Sequence, residues 1–433
     1  MKSIKKIYKW LEIRKKKIYF SVKKKNISEL NKWITNSRKI YHSSGKFFQI
    51  LGIRVKSNFF VNNTWDQPVI YQNEKGILGI IKYSKKGISE YLLQAKAEPG
   101  NINKLQLSPT VQATRSNYNR EHSGKSVKYL SFFKNLKKKK ILVNSLQSEQ
   151  GGRYLYKFNR NIMVNVNSKI KAGPNYIWMS KQDIQESINK NNFLNMDTIS
   201  VFSCSIKKNY FDLPKNSFNH INYWLKKLKK KYFITRKIIP LNNLKNWNYN
   251  KKNITHESKK YFSVIGIKIK SNSREISEWE QPIIKENSLG LSGFIVKKIN
   301  STYHYLVRFS LKPGLINPRL TCTVRTSDAK SCLTDKNYSS LKDNDLMKHY
   351  IKKYFNTNKG KIIYNKVHSD EGGRFFHSQS KNIIVKISDD EKIILNSNYI
   401  WMSHNQVLHF IKKGIFNIEA RLLFACFNIK NIL

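Results

Sequence analysis

Residues 47–57 read FFQILGIRVKS, and residues 261–271 read YFSVIGIKIKS. The two strings match at a shift of 261 − 47 = 214 positions, and both alternate β-branched with polar side chains as strands do. The same shift places the string WDQPVI (65–70) on WEQPII (279–284) and Pro99-Gly100 on Pro313-Gly314. Solenoid repeats are far shorter, so this period indicates a duplicated domain.

The duplication predicts two copies, spanning residues 26–207 and 208–433. Residues 1–25 form a basic leader whose apolar residues lie at helix-like spacing. This spacing predicts a short amphipathic helix, with a solvated extension as an equal alternative and attachment to a membrane surface as a third. A lysine-rich segment near 211–237 is predicted to be a helix that joins the copies.

Each copy has the same sequence plan. A helix-like opening contains a tryptophan (residues 26–34 and 240–248), several β-type runs follow, and a short amphipathic helix closes the copy (181–192 and 404–414). Strands and helices in this order predict an α+β fold.

The chain is strongly basic: 81 Lys and Arg against 27 Asp and Glu give a formal net charge of +54 over 433 residues. Such a balance is typical of proteins that bind nucleic acid, anionic membranes or other polyanions. Here the lysines are spread along the chain with an excess of Asn and Ile, residues that share A/T-rich codons, and no nucleic-acid-binding motif is visible. The sequence therefore predicts no specific nucleic-acid partner.

Cysteine spacing and hydropathy indicate the compartment. Cys204, Cys322, Cys332 and Cys426 form no CxxC pair, so neither a zinc site nor a disulfide framework is expected. The N-terminus lacks the apolar segment of a signal peptide, and no apolar run reaches the length of a membrane span. We expect a cytoplasmic protein without a membrane partner.

The polar stretch at 94–120, QAKAEPGNINKLQLSPTVQATRSNYNR, is the candidate site. It predicts a strand, a tight turn at Pro99-Gly100, and an irregular polar segment that ends near Tyr118. Such a segment beside a strand suits a small-molecule site, although an ordinary surface loop has the same composition.

Several strings together resemble the NDP-hexose 2,3-dehydratase family, over nearly the whole chain from about residue 26. They are LLQAKAEPGNINKLQLSPTVQATRSNY (92–118), QSEQGG (147–152) and NMDT (195–198) in the first copy, and DEGGRFFH (370–377) and IEARLLFAC (418–426) in the second. The resemblance implies a homodimer built from a tandem duplication of a Nudix-like mixed α/β domain, acting on dTDP-4-keto-6-deoxy-glucose. It implies no metal and no redox cofactor, and the glutamate-rich metal-binding Nudix box is missing from this sequence.

The implied reaction starts at the C4 ketone, which makes the C3 proton acidic; loss of that proton and of the C2 hydroxyl gives a 3,4-diketo-2,6-dideoxy sugar for a downstream 3-ketoreductase. Glu98 and Glu149 are the carboxylates of the first-copy strings, so either is a candidate base or acid, or else a salt-bridge partner of Arg115 or Arg153. Tyr118 is a candidate proton donor or a packing residue, and Arg115 suits enolate or phosphate contact. The substrate-binding candidates are Trp65, Gln67, Thr110, Gln112, Ser116, Asn117, Arg120, Gln150, Gly151, Gly152 and Arg153.

The second copy has drifted: Lys312 replaces Glu98, and Arg325 replaces Gln112. A second-copy pocket is predicted from Trp279, Gln281, Glu371, Gly372, Gly373, Arg374 and Arg421. It either binds a nucleotide sugar without turnover or is purely structural. The leading hypothesis is a 2,3-dehydratase with its active site mainly in the first copy. A non-catalytic nucleotide-sugar-binding protein and a basic polyanion-binding protein are the alternatives.

Overall fold

A computed structural model describes residues 2–60, 62–119, 126–134, 136, 140–327, 344–357 and 359–433. In the first half the strands are β1 Phe20–Lys25, β2 Trp33–Thr35, β3 Lys39–His42, β4 Gln49–Ser57, β5 Thr64–Tyr71, β6 Gly76–Lys85, β7 Ile88–Ala97, β8 Leu105–Ser108, β9 Val111–Ala113, β10 Lys140–Ser148, β11 Tyr154–Leu155, β12 Phe158–Val166 and β13 Tyr176–Ser180. In the second half they are β14 Ile234–Ile239, β15 Trp247–Tyr249, β16 Asn253–His256, β17 Ser263–Ser271, β18 Glu278–Lys285, β19 Gly290–Ile299, β20 Thr302–Ser310, β21 Arg319–Thr321, β22 Val324–Thr326, β23 Lys361–Ser369, β24 Phe375–Phe376, β25 Gln379–Lys386 and β26 Tyr399–Ser403. The helices are α1 Lys2–Lys17, α2 Arg115–Tyr118, α3 Lys181–Ser187, α4 Met196–Ser205, α5 Phe218–Lys231, α6 Asn344–Tyr350, α7 His404–Lys412 and α8 Ile418–Asn428.

The strands of the two halves correspond one to one, from β1 with β14 to β13 with β26. The basic leader is part of this correspondence, since α1 and β1 are the counterparts of α5 and β14. The leader helix is packed rather than solvated: Ile4, Ile7 and Leu11 are buried in the main core. The observed repeat thus begins with α1, ahead of the expected start at residue 26.

Each half contains a mixed seven-stranded sheet and contributes five strands to a six-stranded one. The sixth strand comes from the other half. Strand β1 pairs antiparallel with β17, and β14 pairs antiparallel with β4. Because each repeat completes a sheet of its partner, the two repeats are interlocked and share one fold, α+β with two similar halves.

Two predicted segments differ from the structure. The openings that contain Trp33 and Trp247 are single 3-10 turns followed by short strands, because Lys32 and Asn246 adopt left-handed φ angles of 63° and 64° that end any helix. The segment 101–118 is regular: β8 pairs with β7, β9 pairs with β6, and α2 follows. The prediction of an irregular segment was wrong because these strands are only three or four residues long, too short to show a clear alternation in the sequence.

The closing helices and the lysine-rich helix are confirmed as α3, α7 and α5. Helices α4 and α8, which come from opposite repeats, pack against each other within a hydrophobic core that both repeats supply. None of the helices in the described part of the chain combines the length and apolarity needed to cross a membrane.

The two Pro-Gly turns each dock on the opposite repeat. Gly100 N–H donates to Gly372 O at 2.7 Å, and Gly314 N–H donates to Gly151 O at 2.7 Å. A Cβ at Gly100 would lie 1.6 Å from Phe375 O, and one at Gly314 would lie 1.5 Å from Tyr154 O. Only glycine permits such close approach of two backbones, and the docking brings the strings at 94–120 and 370–377 together.

Candidate active site

A cavity of about 710 Å³ lies between the two repeats. Its volume is within the range of small-molecule sites. The first repeat supplies residues from the polar stretch at 94–120, and the second supplies strand β18 and the Gly-Gly turn before β24. We call it the first cavity; its polar lining includes Lys96, Glu98, Gln112, Ser116, Asn117, Lys157, Asn159, Asp197, Arg274, Gln281, Glu371 and Arg374.

Glu98 is a buried carboxylate at the wall of this cavity. Its Oε1 atom accepts a hydrogen bond from Gln112 Nε2 at 3.0 Å and lies 3.4 Å from Lys96 Nζ. Its Oε2 atom has no hydrogen-bond partner. One oxygen is therefore held in place while the other is available to a ligand.

Asp197 begins helix α4 and also lines the first cavity. Burial raises the pKa of this carboxyl well above its usual range, and the carboxylates of Glu371, Glu149 and Glu98 raise it further. The Oδ1 atom has no hydrogen-bond partner. A raised pKa favours the protonated carboxyl, which can act as a proton donor.

Two further carboxyls complete the cluster. Glu371 lines the cavity, and its Oε2 accepts a hydrogen bond from Tyr154 O–H at 2.6 Å. Glu149 lies outside the lining and accepts from Asn159 Nδ2 at 2.8 Å. Burial raises the pKa of Glu149 to about 7, opposed by Arg421. The four carboxyls share one buried region, so they cannot all be ionised without cost.

Lys96 and Lys157 add cationic groups to the same wall, and burial lowers the pKa of both amines. Lys157 Nζ donates to Glu74 O at 2.7 Å. Lys96 lies beside Glu98, where its ammonium can offset negative charge that develops on a bound ligand.

The outer wall combines a guanidinium with aromatic rings. Arg374 lies 4.1 Å from the centre of the Phe48 ring, and its Nη1 donates to Gly373 O at 2.8 Å. The described residues give Arg374 no carboxylate ion-pair partner. Trp33 and Trp279 line the same side of the cavity. A free guanidinium beside aromatic rings suits a ligand with a phosphate group and a planar base.

A family model described as NDP-hexose 2,3-dehydratase matches residues 4–205 and again residues 218–427. The chain belongs to this family. Its two matched segments correspond to the two repeats of the structure. The first segment includes most of α1, and the second includes all of α5.

Curated relatives of this family member carry one name, dTDP-4-dehydro-6-deoxy-alpha-D-glucopyranose 2,3-dehydratase. The protein from Saccharopolyspora spinosa is 30% identical, over 96% of this chain and 89% of its own length. The protein from Amycolatopsis orientalis is 32% identical, over 97% and 89%. The protein from Streptomyces violaceoruber is 31% identical, over 92% and 91%.

Among solved structures, an Ap4A hydrolase from C. elegans matches 34% of this chain and 96% of its own, at 13% identity and a TM-score of 0.22. This likeness is too low to assign the fold of a single repeat.

The dehydratase repeats also enclose a second cavity, related to the first by the duplication but only about 120 Å³ in volume. Here Arg153, the counterpart of Arg374, is bound by Glu286 through Nε–Oε1 at 2.6 Å and Nη2–Oε2 at 3.1 Å. Glu286 corresponds to Gln72 in the first cavity (286 − 214 = 72). Because the first cavity has Gln72 in place of Glu286, the Arg374 guanidinium lacks the carboxylate partner that neutralises Arg153.

Other charged residues of the second cavity also differ from their counterparts in the first cavity. Arg325 lies 3.4 Å from Glu419, which is the counterpart of Asp197. Lys312 stands in place of Glu98, and burial lowers the pKa of its amine to about 8. Among the described residues, the second cavity thus has a small volume, two internal ion pairs and a lysine where the first cavity has Glu98. The first cavity is the candidate active site.

The predicted site residues are distributed over both cavities, and each cavity is lined by residues of both repeats. The first cavity is lined by Glu98, Gln112, Ser116 and Asn117 from the first repeat and by Trp279, Gln281, Glu371, Gly373 and Arg374 from the second. The second cavity is lined by Gln150, Gly152 and Arg153. Gly151 and Gly372 accept the hydrogen bonds of the docked turns.

Other predicted residues lie elsewhere. Thr110 is buried, and its hydroxyl bonds Leu92 O and Ile81 N within the sheet. Gln67 accepts from Trp65 Nε1 at 3.0 Å and donates to Gly152 O at 2.9 Å, on the side of the second cavity.

Arg115 and Tyr118, near the end of the polar stretch, do not line the first cavity. Arg115 is exposed, and Tyr118 packs at the edge of a hydrophobic cluster with Lys134 over its ring at 5.6 Å. Arg120 lies outside the described residues. Arg421 is buried between the repeats and lines neither cavity.

The sequence candidates did not include the charged cavity residues Lys96, Lys157 and Asp197. Asp197 stands within the NMDT string and Lys96 within QAKAE, so their positions in these strings were the available signal. The aromatic residues Trp33 and Phe48 gave no comparable signal, because tryptophan and phenylalanine in strand regions are more often core.

Proposed function

We propose that this chain is a dTDP-4-keto-6-deoxy-glucose 2,3-dehydratase that works in the first cavity. The observation that carries the proposal is the meeting of Glu98, Asp197 and Arg374 in one cavity between the repeats. The names of the curated relatives supply the substrate. The reaction takes the C3 proton, expels the C2 hydroxyl as water, and leaves an enol that becomes the 3,4-diketo-2,6-dideoxy sugar.

Glu98 is the base in this proposal. Its free Oε2 accepts the C3 proton, while Gln112 and Lys96 hold Oε1. Loss of the proton produces an enolate whose negative charge spreads to the C4 oxygen. A neighbouring ammonium such as that of Lys96 lowers the energy of this intermediate in a site shielded from water.

Asp197 is the acid. Its raised pKa favours the protonated form, and a protonated donor is what the C2 hydroxyl needs to leave as water. The proton acceptor and the proton donor of this proposal are then two different carboxyls of one cavity. Glu149, the other carboxylate predicted from the sequence, does not line the cavity. It accepts a hydrogen bond from Asn159, which does.

Arg374 binds the diphosphate, with Phe48, Trp33 and Trp279 forming the wall against the thymine base. A free guanidinium is suited to bidentate contact with phosphate oxygens. In the described part of the second cavity, Arg153 and Arg325 are ion-paired with Glu286 and Glu419, which supports one functional site per chain.

The test uses purified protein, dTDP-4-keto-6-deoxy-glucose and deuterated water, with a 3-ketoreductase and NADPH to trap the product. A 2-deoxy sugar with deuterium at C2 is expected. Exchange at C3 without loss of the hydroxyl would mean that the base works and the acid does not. The absence of both reactions in folded protein would refute the proposal and favour a protein that only binds nucleotide sugars.

The resemblance supports further proposals on fold and assembly. We propose that each repeat is Nudix-like, that the chain forms a homodimer in the cytoplasm, and that a 3-ketoreductase consumes the unstable diketo product. The domain units in this proposal are two interlocked repeats, 2–207 and 208–433, each of which exchanges its first strand with the other.

A further inference from the structure

Arg421 is the largest side chain that is completely buried, and it comes from helix α8 of the second repeat. Its Nη1 donates to Ser200 Oγ on helix α4, and its Nη2 donates to Ser148 O at 3.3 Å at the end of β10. Both partners belong to the first repeat. A guanidinium from one repeat therefore connects two elements of the other.

These two elements carry carboxyls of the site. Ser148 directly precedes Glu149, and Ser200 lies about one turn after Asp197 on α4. Ser200 Oγ in turn donates to Asn161 Oδ1 at 2.6 Å on strand β12. The guanidinium, Ser200 and Asn161 form a buried chain of hydrogen bonds that connects α4 to the sheet, while Arg421 Nε has no hydrogen-bond partner among the described residues.

Electrostatics favours the same assignment. Arg421 is the strongest charged influence on Glu149 and keeps the pKa of that carboxyl lower than burial alone would. The charged groups around the carboxyls of Glu149 and Asp197 are Lys96, Lys157, Glu371 and Glu98. The titratable groups around Arg421, besides these two carboxyls, are Cys204 and Glu419. The corresponding residue of the first repeat is Ile199 (421 − 417 + 195 = 199), so the second repeat alone has this cation.

We propose that Arg421 is a positioning residue of the first cavity, through which the second repeat holds the Ser148–Glu149 corner and the Asp197 helix in place. This inference rests on the proposed function only in naming Asp197 as the acid. Arg421 touches no ligand in this assignment, and it acts through the two carboxyls. The second repeat thus supports catalysis as well as binding.

The experiment compares Arg421→Met with Arg421→Lys, and with Arg308→Met as a matched control. Arg308 is also buried in the second repeat but lines neither cavity. Without the cation, Asp197 and Glu149 keep their protons to higher pH. The alkaline limb of the kcat–pH profile is expected to move upward by about one pH unit in Arg421→Met, little in Arg421→Lys and not at all in Arg308→Met. A uniform loss of kcat with unmoved limbs in both Arg421 variants would overturn the proposal.

A second measurement needs no turnover. The pH dependence of unfolding by urea is compared in wild type, Arg421→Met, Glu149→Gln and the double variant. Coupling predicts that Arg421→Met changes this dependence in the presence of Glu149 and changes it much less in its absence. The double variant also avoids a buried, unpaired carboxylate, the main reason for Arg421→Met to misfold. Equal changes in both backgrounds would overturn the inference, whereas a wild-type protein without turnover would refute only the proposed function.

Discussion

Replacing Gly100 by alanine tests the docking of the repeats at the first cavity. A Cβ at this position would lie 1.6 Å from Phe375 O, whereas real contacts begin near 3.0 Å, so the turn must retreat by at least 3.0 − 1.6 = 1.4 Å. The obstacle is a backbone carbonyl in a buried turn, which cannot rotate away as a flexible side chain would.

The retreat breaks a hydrogen bond. Gly100 N and Gly372 O are 2.7 Å apart, and a further 1.4 Å takes them to about 4.1 Å, beyond hydrogen-bond range. Each buried group left without a partner costs about 1–3 kcal/mol, so we expect Gly100→Ala to lower the free energy of unfolding by about 2–6 kcal/mol. Glu98 and Glu371 directly precede the two turns, so these two cavity carboxyls move apart as well.

The assay combines urea unfolding with the trapped-product assay, using Gly314→Ala and Gly152→Ala as controls. Gly314 has the same clash, 1.5 Å from Tyr154 O, but at the second cavity; Gly152 has no atom within 4 Å of an added Cβ. We expect Gly100→Ala and Gly314→Ala to lose similar stability, Gly100→Ala to lose the greater share of kcat, and Gly152→Ala to resemble wild type. Near-wild-type stability in Gly100→Ala, or equal kcat losses in the two clashing variants, would refute the reasoning.

Three further outcomes follow from the geometry of the cavities. Asp197→Asn keeps the size of the side chain but cannot supply a proton, so kcat should fall by about 10²–10⁴ with little change in the Kd for substrate; undiminished turnover would remove Asp197 from the acid role. Arg374→Met should weaken dTDP-sugar binding about 10–100-fold by calorimetry, with one ligand per chain in the wild type. Arg153→Met should leave the Kd unchanged but destabilise the fold, because it leaves the Glu286 carboxylate without its ion-pair partner. Because the pKa of Glu149 is raised to about 7, its contribution to stability is present below its ordinary value of 4.5 and is lost as the pH rises through about 7. Urea unfolding of Glu149→Gln at about pH 5 and about pH 8 should therefore show a smaller decline with pH than wild type, and an equal decline would contradict the assignment.

The sequence by itself determined the duplication, the α+β class and several of the longer strands. These features depend on local alternation and on a constant shift between matching residues, and both can be counted along the chain. The family strings likewise located Glu98, Gln112 and Arg374, because each stands in a short run of characteristic residues.

Only the tertiary structure decided which of these residues share a cavity. A shift of 214 relates equivalent residues of the two copies, such as Glu98 and Lys312, whereas the fold brings together non-equivalent ones, such as Glu98 and Glu371. The exchange of β1 and β14 and the docking of each Pro-Gly turn on the opposite repeat cause this pairing. Contacts between residues more than 200 positions apart depend on packing of the whole chain, and no local pattern encodes them. For the same reason, no local pattern indicates that Arg421 lies behind the carboxyls of the first repeat.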